Sequence, residues 1–426
     1  MSPATEVEQR PPDAALPHCQ SHVAHINPDG LVPSAGANPA GVNHTGVVPA
    51  GANPAGINPN GLVPIIDMAG LRGPADSPST VEACRNLLQV ANRVGFFYVT
   101  NHGVPPELLE AKLHQARTLF GLPLTTKQQL HMGRAGPYRG WSGFKEETTA
   151  GKADKKESYD IWANPPRSTQ GVSEALNTLD TARMDATYQA LLGDNLWPSE
   201  RDVPGFRATH EAFVASTSHV AQCLLRGFAI ALGLGETYFH DMCGPETSFR
   251  FMRHNYYPPV ADADVSDGFG VGPHTDLGWL TILAQNNIGG LQVQGLDGQW
   301  IDATPIDNTI LINLGDVLQW WSGGLLRATP HRVLPNAHPT TARISLPLFY
   351  EPCLHAVVRP MQWSGEQLEE LEQAQGVRPV PGAALPEWAP LVPGGAGGGT
   401  PGLLYGEYLL TTYNRSFQHL KGGDKQ

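Results

Sequence analysis

Gly272-Pro273-His274-Thr275-Asp276-Leu277-Gly278 is the stretch from which the rest of the chain can be read. On a β-strand alternate side chains point to one face. His274 and Asp276 would then project together and could bind one ion side by side. Alone, a His-x-Asp tripeptide is common, and its ordinary reading is a pair on a strand surface. The surroundings change that reading. A second histidine, His331, stands 57 positions downstream (331 − 274) in Arg327-Ala328-Thr329-Pro330-His331-Arg332-Val333. Between them, Gly289-Gly290-Leu291-Gln292-Val293 and Leu311-Ile312-Asn313-Leu314-Gly315-Asp316 each read as a strand beside a turn. Two imidazoles and a carboxylate on one side of a metal ion leave the opposite positions open, as a non-haem iron needs in order to take a co-substrate and dioxygen together. A structural zinc site would be closed and usually thiolate-rich, and no cysteine lies near these histidines. A dozen residues further on, Arg343-Ile344-Ser345 sets a guanidinium fork and a hydroxyl on one strand face. That pair suits the distal carboxylate of a dicarboxylic acid.

Working outward, short β-rich segments alternate with turns from about 248 to 358, as in an all-β sandwich or barrel. They follow a helical half. Ser77-Pro78 reads as an N-cap and first helical residue, opening a helix to about 94 that stops at Gly95. A strand is expected over 96–100, a helix over about 105–120, and a long amphipathic helix over about 210–234. Order begins with the apolar run Val63-Pro64-Ile65-Ile66-Asp67 and ends with a piece over 405–417, after a breaker run at 393–401. Helices first and strands second give an α+β fold. Residues 1–62 differ: they are rich in Pro, Gly and Asn, and carry three related heptapeptides starting at Asn27, Asn43 and Asn58. Proline at that density blocks helix and sheet pairing, so a disordered leader is expected.

Composition excludes several classes. The net charge is −12 and no basic cluster is visible, which argues against nucleic acid as a partner. No apolar run is long enough to span a bilayer, and the N-terminus shows no signal-peptide pattern. The five cysteines (Cys19, Cys84, Cys223, Cys243, Cys353) are scattered and odd in number. That favours free thiols in a reducing, cytoplasmic setting.

Taken in order, these motifs resemble the 2-oxoglutarate/Fe(II)-dependent dioxygenase superfamily, in the isopenicillin N synthase-like branch. The similarity runs over about 63–417 and includes Gly95-Phe96-Phe97-Tyr98-Val99-Thr100-Asn101-His102-Gly103-Val104 and Asn255-Tyr256-Tyr257-Pro258-Pro259. The resemblance implies a double-stranded β-helix (jelly roll) core with packed N-terminal helices. The expected division is a leader over 1–62, an N-terminal region over 63–200, and a long helix plus catalytic jelly roll over 201–420. It implies His274, Asp276 and His331 as iron ligands and catalytic centre, with Arg343, Ser345, Asn255 and Tyr257 holding 2-oxoglutarate. The expected cofactors are Fe(II), 2-oxoglutarate and O2, with ascorbate as a stimulant. The implied reaction oxidises a small-molecule substrate, usually by hydroxylation, and releases succinate and CO2; desaturation and ring closure are variants. A monomer is expected. Tyr138, Arg139, Trp141 and Phe349 are candidate substrate contacts. His102, Asn313 and Asp316 are read as structural, Trp320-Trp321 as core, and His254 and His338 as surface residues. Two alternatives stay open from the residues alone: an isopenicillin N synthase-like or ethylene-forming iron oxidase that does without 2-oxoglutarate, and an inactive jelly-roll binding module.

Overall fold

The computed structural model describes residues 56–57, 63–132, 134, 138–149, 151–164, 186–187, 189–260, 268–393 and 400–416. The leader expected over 1–62 therefore lies outside the described residues apart from Gly56–Ile57. The strands that concern the site, in chain order, are β1 (Gly56–Ile57), β2 (Pro64–Asp67), β3 (Phe96–Thr100), β4 (Gly140–Ser142), β5 (Thr148–Thr149), β6 (Lys152–Ala153), β7 (Glu157–Trp162), β8 (Phe249–Tyr257), β9 (Val271–His274), β10 (Leu280–Gln285), β11 (Leu291–Gln294), β12 (Trp300–Asp302), β13 (Ile310–Leu314), β14 (His331–Val333) and β15 (Arg343–Glu351); three short strands beyond β15 form a separate small sheet. The helices that matter for the site are α1 (Pro78–Arg93), α2 (Pro106–Phe120), α3 (Phe206–Ala231), α4 (Asp316–Trp321) and α5 (Tyr405–Ser416).

Nine strands form a major sheet in the order β1-β2-β3-β13-β10-β15-β8-β7-β4. Four more form a minor sheet, β12-β11-β14-β9. Their apolar faces meet in a cluster that joins Phe96, Tyr257, Leu283 and Leu311 of the major sheet to Leu291, Val293 and Val333 of the minor one. This is the jelly roll. The other face of the major sheet is covered by α1 and α3. Phe213, Val220, Leu224 and Phe228 of α3 recur at helical spacing and are buried with Leu87 and Leu88 of α1. Each such side chain contributes roughly 1.5–3 kcal/mol by leaving water.

Covered on both faces, the central strands read as nearly continuous buried runs rather than as alternating ones. The alternation survives in where each side chain goes. Along β15, Ile344, Leu346, Leu348 and Tyr350 enter the helix-covered core. Arg343, Ser345, Pro347, Phe349 and Glu351 line a cavity between the sheets. Strand β8 does the same, sending Phe251, Arg253, Asn255 and Tyr257 to the cavity.

The helix expected over 77–94 is α1, and the Ser77 hydroxyl caps it by accepting from the Thr80 N–H. The long helix starts at Phe206, earlier than expected, behind Gly205 in a left-handed conformation (φ 66°). β3, from the helical half of the sequence, pairs with β13 in the major sheet. One expectation is corrected here. His254 is not a surface residue; it is fully buried, its Nδ1 against the Tyr159 carbonyl at 2.9 Å, its ring 6.0 Å from that of buried His210. Its place on β8 assigns it to the helix-covered face, opposite Asn255. Half-buried His338 instead accepts the Thr340 and Thr341 N–H groups at Nδ1.

Burial pushes both His210 and His254 well below the ordinary imidazole range, with Lys112 adding to the effect. The native state thus excludes protons that the unfolded chain binds below about pH 6.5. Stability from these two groups is complete above that pH and is lost as the pH falls, with a slope approaching about 1.4 kcal/mol per pH unit for each ring. Because buried Glu351 and Asp316, pushed up to about 8 and about 7, act in the opposite sense over this range, the test compares variants: the urea midpoint of His210→Gln should gain on that of the wild type as the pH falls from 7.5 to 5.5, and a difference that stays constant would contradict this.

Candidate metal centre

Strands β9 and β14 pair antiparallel with His274 directly opposite His331. Their rings lie 4.2 Å apart, centroid to centroid. β9 ends at His274, so Asp276 belongs to the turn that follows rather than to the strand. The carboxylate reaches the histidines because of that turn and not through strand alternation, which corrects the geometry expected from the sequence. Asp276 Oδ1 sits 3.8 Å from Nε2 of His274 and 3.8 Å from Nε2 of His331. One ligand atom from each of the three lies within 4.8 Å of the others.

Each side chain is fixed from behind. His274 Nδ1 faces the Gly272 carbonyl at 2.8 Å, and His331 Nδ1 faces that of Thr329 at 3.1 Å. Donation from Nδ1 sets the tautomer and leaves the Nε2 lone pair free for a metal. Asp276 Oδ2 accepts from Thr281 Oγ1 at 2.5 Å and from Asn313 Nδ2 at 2.7 Å, so Oδ1 is the oxygen that remains. Burial works against the Asp276 charge, but the facing imidazoles and these two hydrogen bonds hold its carboxyl below the usual carboxylate range. Burial pushes His331 down to about 4, aided by His274, so its ring is neutral at neutral pH.

The turn itself is clamped by the start of α4. The N–H groups of Gly315, Asp316, Val317 and Leu318 donate to the carbonyls of Trp279, Asp276, Leu277 and Gly278 at 2.8–3.2 Å. The two backbones are so close that a Cβ on Gly315 would lie 2.4 Å from the Gly278 carbonyl oxygen. Asp316 also accepts from Thr275 Oγ1 at 3.0 Å. Asn313 and Asp316, read from sequence as turn residues, therefore also orient the candidate ligand loop.

The triad opens onto a cavity of about 400 Å³. Arg343, Ser345, Asn255 and Tyr257 form one part of its wall. Pairing of β8 with β15 puts Tyr257 opposite Arg343 and Asn255 opposite Ser345. Arg343 is 1% exposed, and among the described residues it has no carboxylate partner. One guanidinium nitrogen donates to Gln285 Oε1 at 2.8 Å, while Nε and Nη1 make no hydrogen bond. A buried guanidinium with unused donors calls for an anion. The donor set and this orphaned cation together fit a divalent metal beside an anionic co-substrate.

Phe349 lines the cavity and stacks on Phe251 at 4.3 Å. Tyr138, Arg139 and Trp141 do not line it. Tyr138 stacks on Trp162 and bonds to Asn414; Arg139 is held by Asn164 and the Leu191 carbonyl; Trp141 donates to Glu157. Each is buried in packing rather than presented to a ligand. The sequence reading missed Glu147, Asp154, Lys156 and Arg253, and missed Leu409, Thr412 and Tyr413 of α5, all in the cavity wall. Arg253 was open to detection, since it shares the parity of Asn255 and Tyr257. The α5 residues carry no motif.

Comparison with known proteins agrees with this geometry. Residues 248–352 match the model of the 2OG-Fe(II) oxygenase superfamily. Residues 63–200 match that of the non-haem dioxygenase in morphine synthesis N-terminal region. A homoarginine-6-hydroxylase of Glycine max is 31% identical over 310 residues, covering 70% of this chain and 88% of the relative. A proline hydroxylase of Petromyces alliaceus is 32% identical over 270 residues, covering 61% of this chain and 76% of the relative. Among solved structures, a full-length Neurospora crassa protein crystallised in complex with alpha-KG and thymine superposes with a TM-score of 0.63 at 25% identity, over 85% of this chain and 99% of that one. With a relative of this identity matched over most of its length, and a buried His-Asp-His cluster facing an orphaned arginine, the chain belongs to the 2-oxoglutarate/Fe(II) oxygenase family and is an oxidoreductase that uses Fe(II), 2-oxoglutarate and O2 on a small-molecule substrate.

Proposed function

We propose that His274, Asp276 and His331 hold the iron through Nε2, Oδ1 and Nε2, and that Arg343 and Ser345, with Asn255 and Tyr257, hold the distal carboxylate of 2-oxoglutarate. The observation that carries this reading is the buried Arg343 guanidinium, with two unused nitrogens, in the same cavity wall as the triad. It is also why a mechanism without the 2-oxo acid is the weaker reading, since Arg343 would then keep a buried, uncompensated charge.

When bound, Fe(II) supplies the redox chemistry that couples decarboxylation of 2-oxoglutarate to succinate and CO2 with oxidation of a substrate C–H bond. The chain's own groups do the positioning. Asn313 and Thr281 keep Asp276 ionised and turned so that a single oxygen faces the histidines. The Gly272 and Thr329 carbonyls hold both imidazoles in the tautomer that ligates. Phe251, Phe349 and Leu409 give the cavity an apolar wall on which the substrate's hydrocarbon part can rest. Hydroxylation is the outcome we favour, in keeping with the names of the homoarginine and proline hydroxylases.

We further infer an isopenicillin N synthase-like branch, a monomeric enzyme and a cytoplasmic setting. Four cysteines are free among the described residues, and no helix there is long and apolar enough to cross a membrane. Residues 63–200 and 201–420 act as two regions of one catalytic unit behind the leader over 1–62.

Two outcomes test the assignment. Replacing His331 or Asp276 by Ala should abolish product formation while the metal-free variants still unfold cooperatively, because one ligand adds little to so large a core; wild-type turnover in both would remove the site. Arg343→Ala should raise the KM for 2-oxoglutarate by about tenfold or more, since a charge-assisted contact worth roughly 1.5–3 kcal/mol is lost. An unchanged KM would take Arg343 out of that role.

A further inference from the structure

A second group of charged residues stands in the cavity wall, where β7 and β8 meet the segment around the β5–β6 hairpin. Arg253 grips Asp160 with two bonds, Nε to Oδ1 at 2.8 Å and Nη2 to Oδ2 at 2.6 Å. Its third nitrogen donates to Glu147 Oε2 at 2.9 Å, and Lys156 Nζ donates to the same oxygen at 2.5 Å. Ser158 donates to the other Glu147 oxygen. Arg253 thus answers Asp160, and Lys156 answers Glu147. Asp154 is the third carboxylate against two cations. Its Oδ2 accepts from Thr149 Oγ1 at 2.9 Å and lies 3.6 Å from Lys156 Nζ. Its Oδ1 has no partner, although Asp154 is only 2% exposed and lines the cavity. The Lys155 N–H donates to the Phe269 carbonyl at 3.0 Å, and Lys155 is not part of the wall.

The charges elsewhere in the cavity offer Asp154 nothing. On the proposed assignment Fe(II) (+2), Asp276 (−1), the 2-oxoglutarate dianion (−2) and Arg343 (+1) sum to zero, and Glu351 of the same wall, pushed up to about 8 by burial, is neutral at neutral pH. The charged cluster is left at −1, located at Asp154. A buried carboxylate oxygen without a donor is costly, and a ligand that brings an N–H⁺ removes the cost. The aromatic rings of Phe251, Phe349 and Tyr413 in the same wall suit the alkyl part of such a ligand and the flank of a cation.

We infer that the primary substrate carries a protonated amine or guanidinium, and that Asp154 Oδ1 is the acceptor that anchors it. This rests on the proposed iron and 2-oxoglutarate assignment and adds the substrate's chemical class.

The test is anaerobic calorimetry on the full chain loaded with Fe(II) and 2-oxoglutarate. The probes are n-pentylguanidine and n-hexylamine, paired with their neutral isosteres n-pentylurea and 1-hexanol. At least one cation should bind about tenfold or more tightly than its neutral partner. Asp154→Asn should remove that preference and leave the affinity for 2-oxoglutarate within about twofold, a level at which no contact is lost. Equal binding within the pairs, no binding by any cation, or a preference that survives in Asp154→Asn overturns the inference. If Asp154→Asn does not fold, Asp154→Ser is held to the same comparison. Failure of 2-oxoglutarate itself to bind would instead overturn the assignment beneath it, so the two failures are read separately.

Discussion

Two imidazoles and a carboxylate stand within 4.8 Å of one another, each with its second polar atom already committed. In this chain the commitments are backbone carbonyls behind both histidines, and Asn313 and Thr281 behind Asp276. The β9–β14 pairing supplies the histidines, and the start of α4 locks the loop that supplies the carboxylate. Remove the clamp and the ligand set becomes three unrelated side chains. The open side of the set, and with it the whole oxygenase reading, depends on this arrangement.

The major sheet extends that order into the cavity. With helices on one face and the minor sheet on the other, its central strands send apolar side chains to the helices and working side chains to the cavity. β15 alone contributes Arg343, Ser345 and Phe349 to the wall, and β8 contributes Arg253, Asn255 and Tyr257. Because the two strands pair in register, the proposed co-substrate cradle and Arg253 of the charged cluster are set on one ladder. Two buried charges stand out on that wall with unused valence: the Arg343 guanidinium and the Asp154 carboxylate. One asks for an anion and the other for a cation.

Much of this was legible in the sequence. Period-2 runs after a helical half, with His274, Asp276, His331, Arg343 and Ser345 in that order, gave the jelly roll and the residues that converge. What escaped had physical reasons. Asp276 lies on a turn, and its reach depends on α4, a long-range contact that no local pattern encodes. His254 was misread because a polar residue on a strand looks exposed until both faces of the sheet are known to be covered. Tyr138, Arg139 and Trp141 were read as candidate substrate contacts in a Gly- and aromatic-rich stretch, yet their polar atoms are taken by Asn414, Asn164 and Glu157. Asp154 gave no signal, since being the odd carboxylate in a cluster is a property of two strands and a hairpin together.

The central claim is that one ferrous ion is held on one side by three side chains of this chain and left open on the other. The most direct measurement is the electron density of an anaerobic crystal grown with Fe(II) and 2-oxoglutarate. The account requires a single ion bonded to Nε2 of His274, Oδ1 of Asp276 and Nε2 of His331, no fourth protein ligand, and a carboxylate of the co-substrate against Arg343. An ion bound elsewhere, or one closed off by a further side chain, would contradict it.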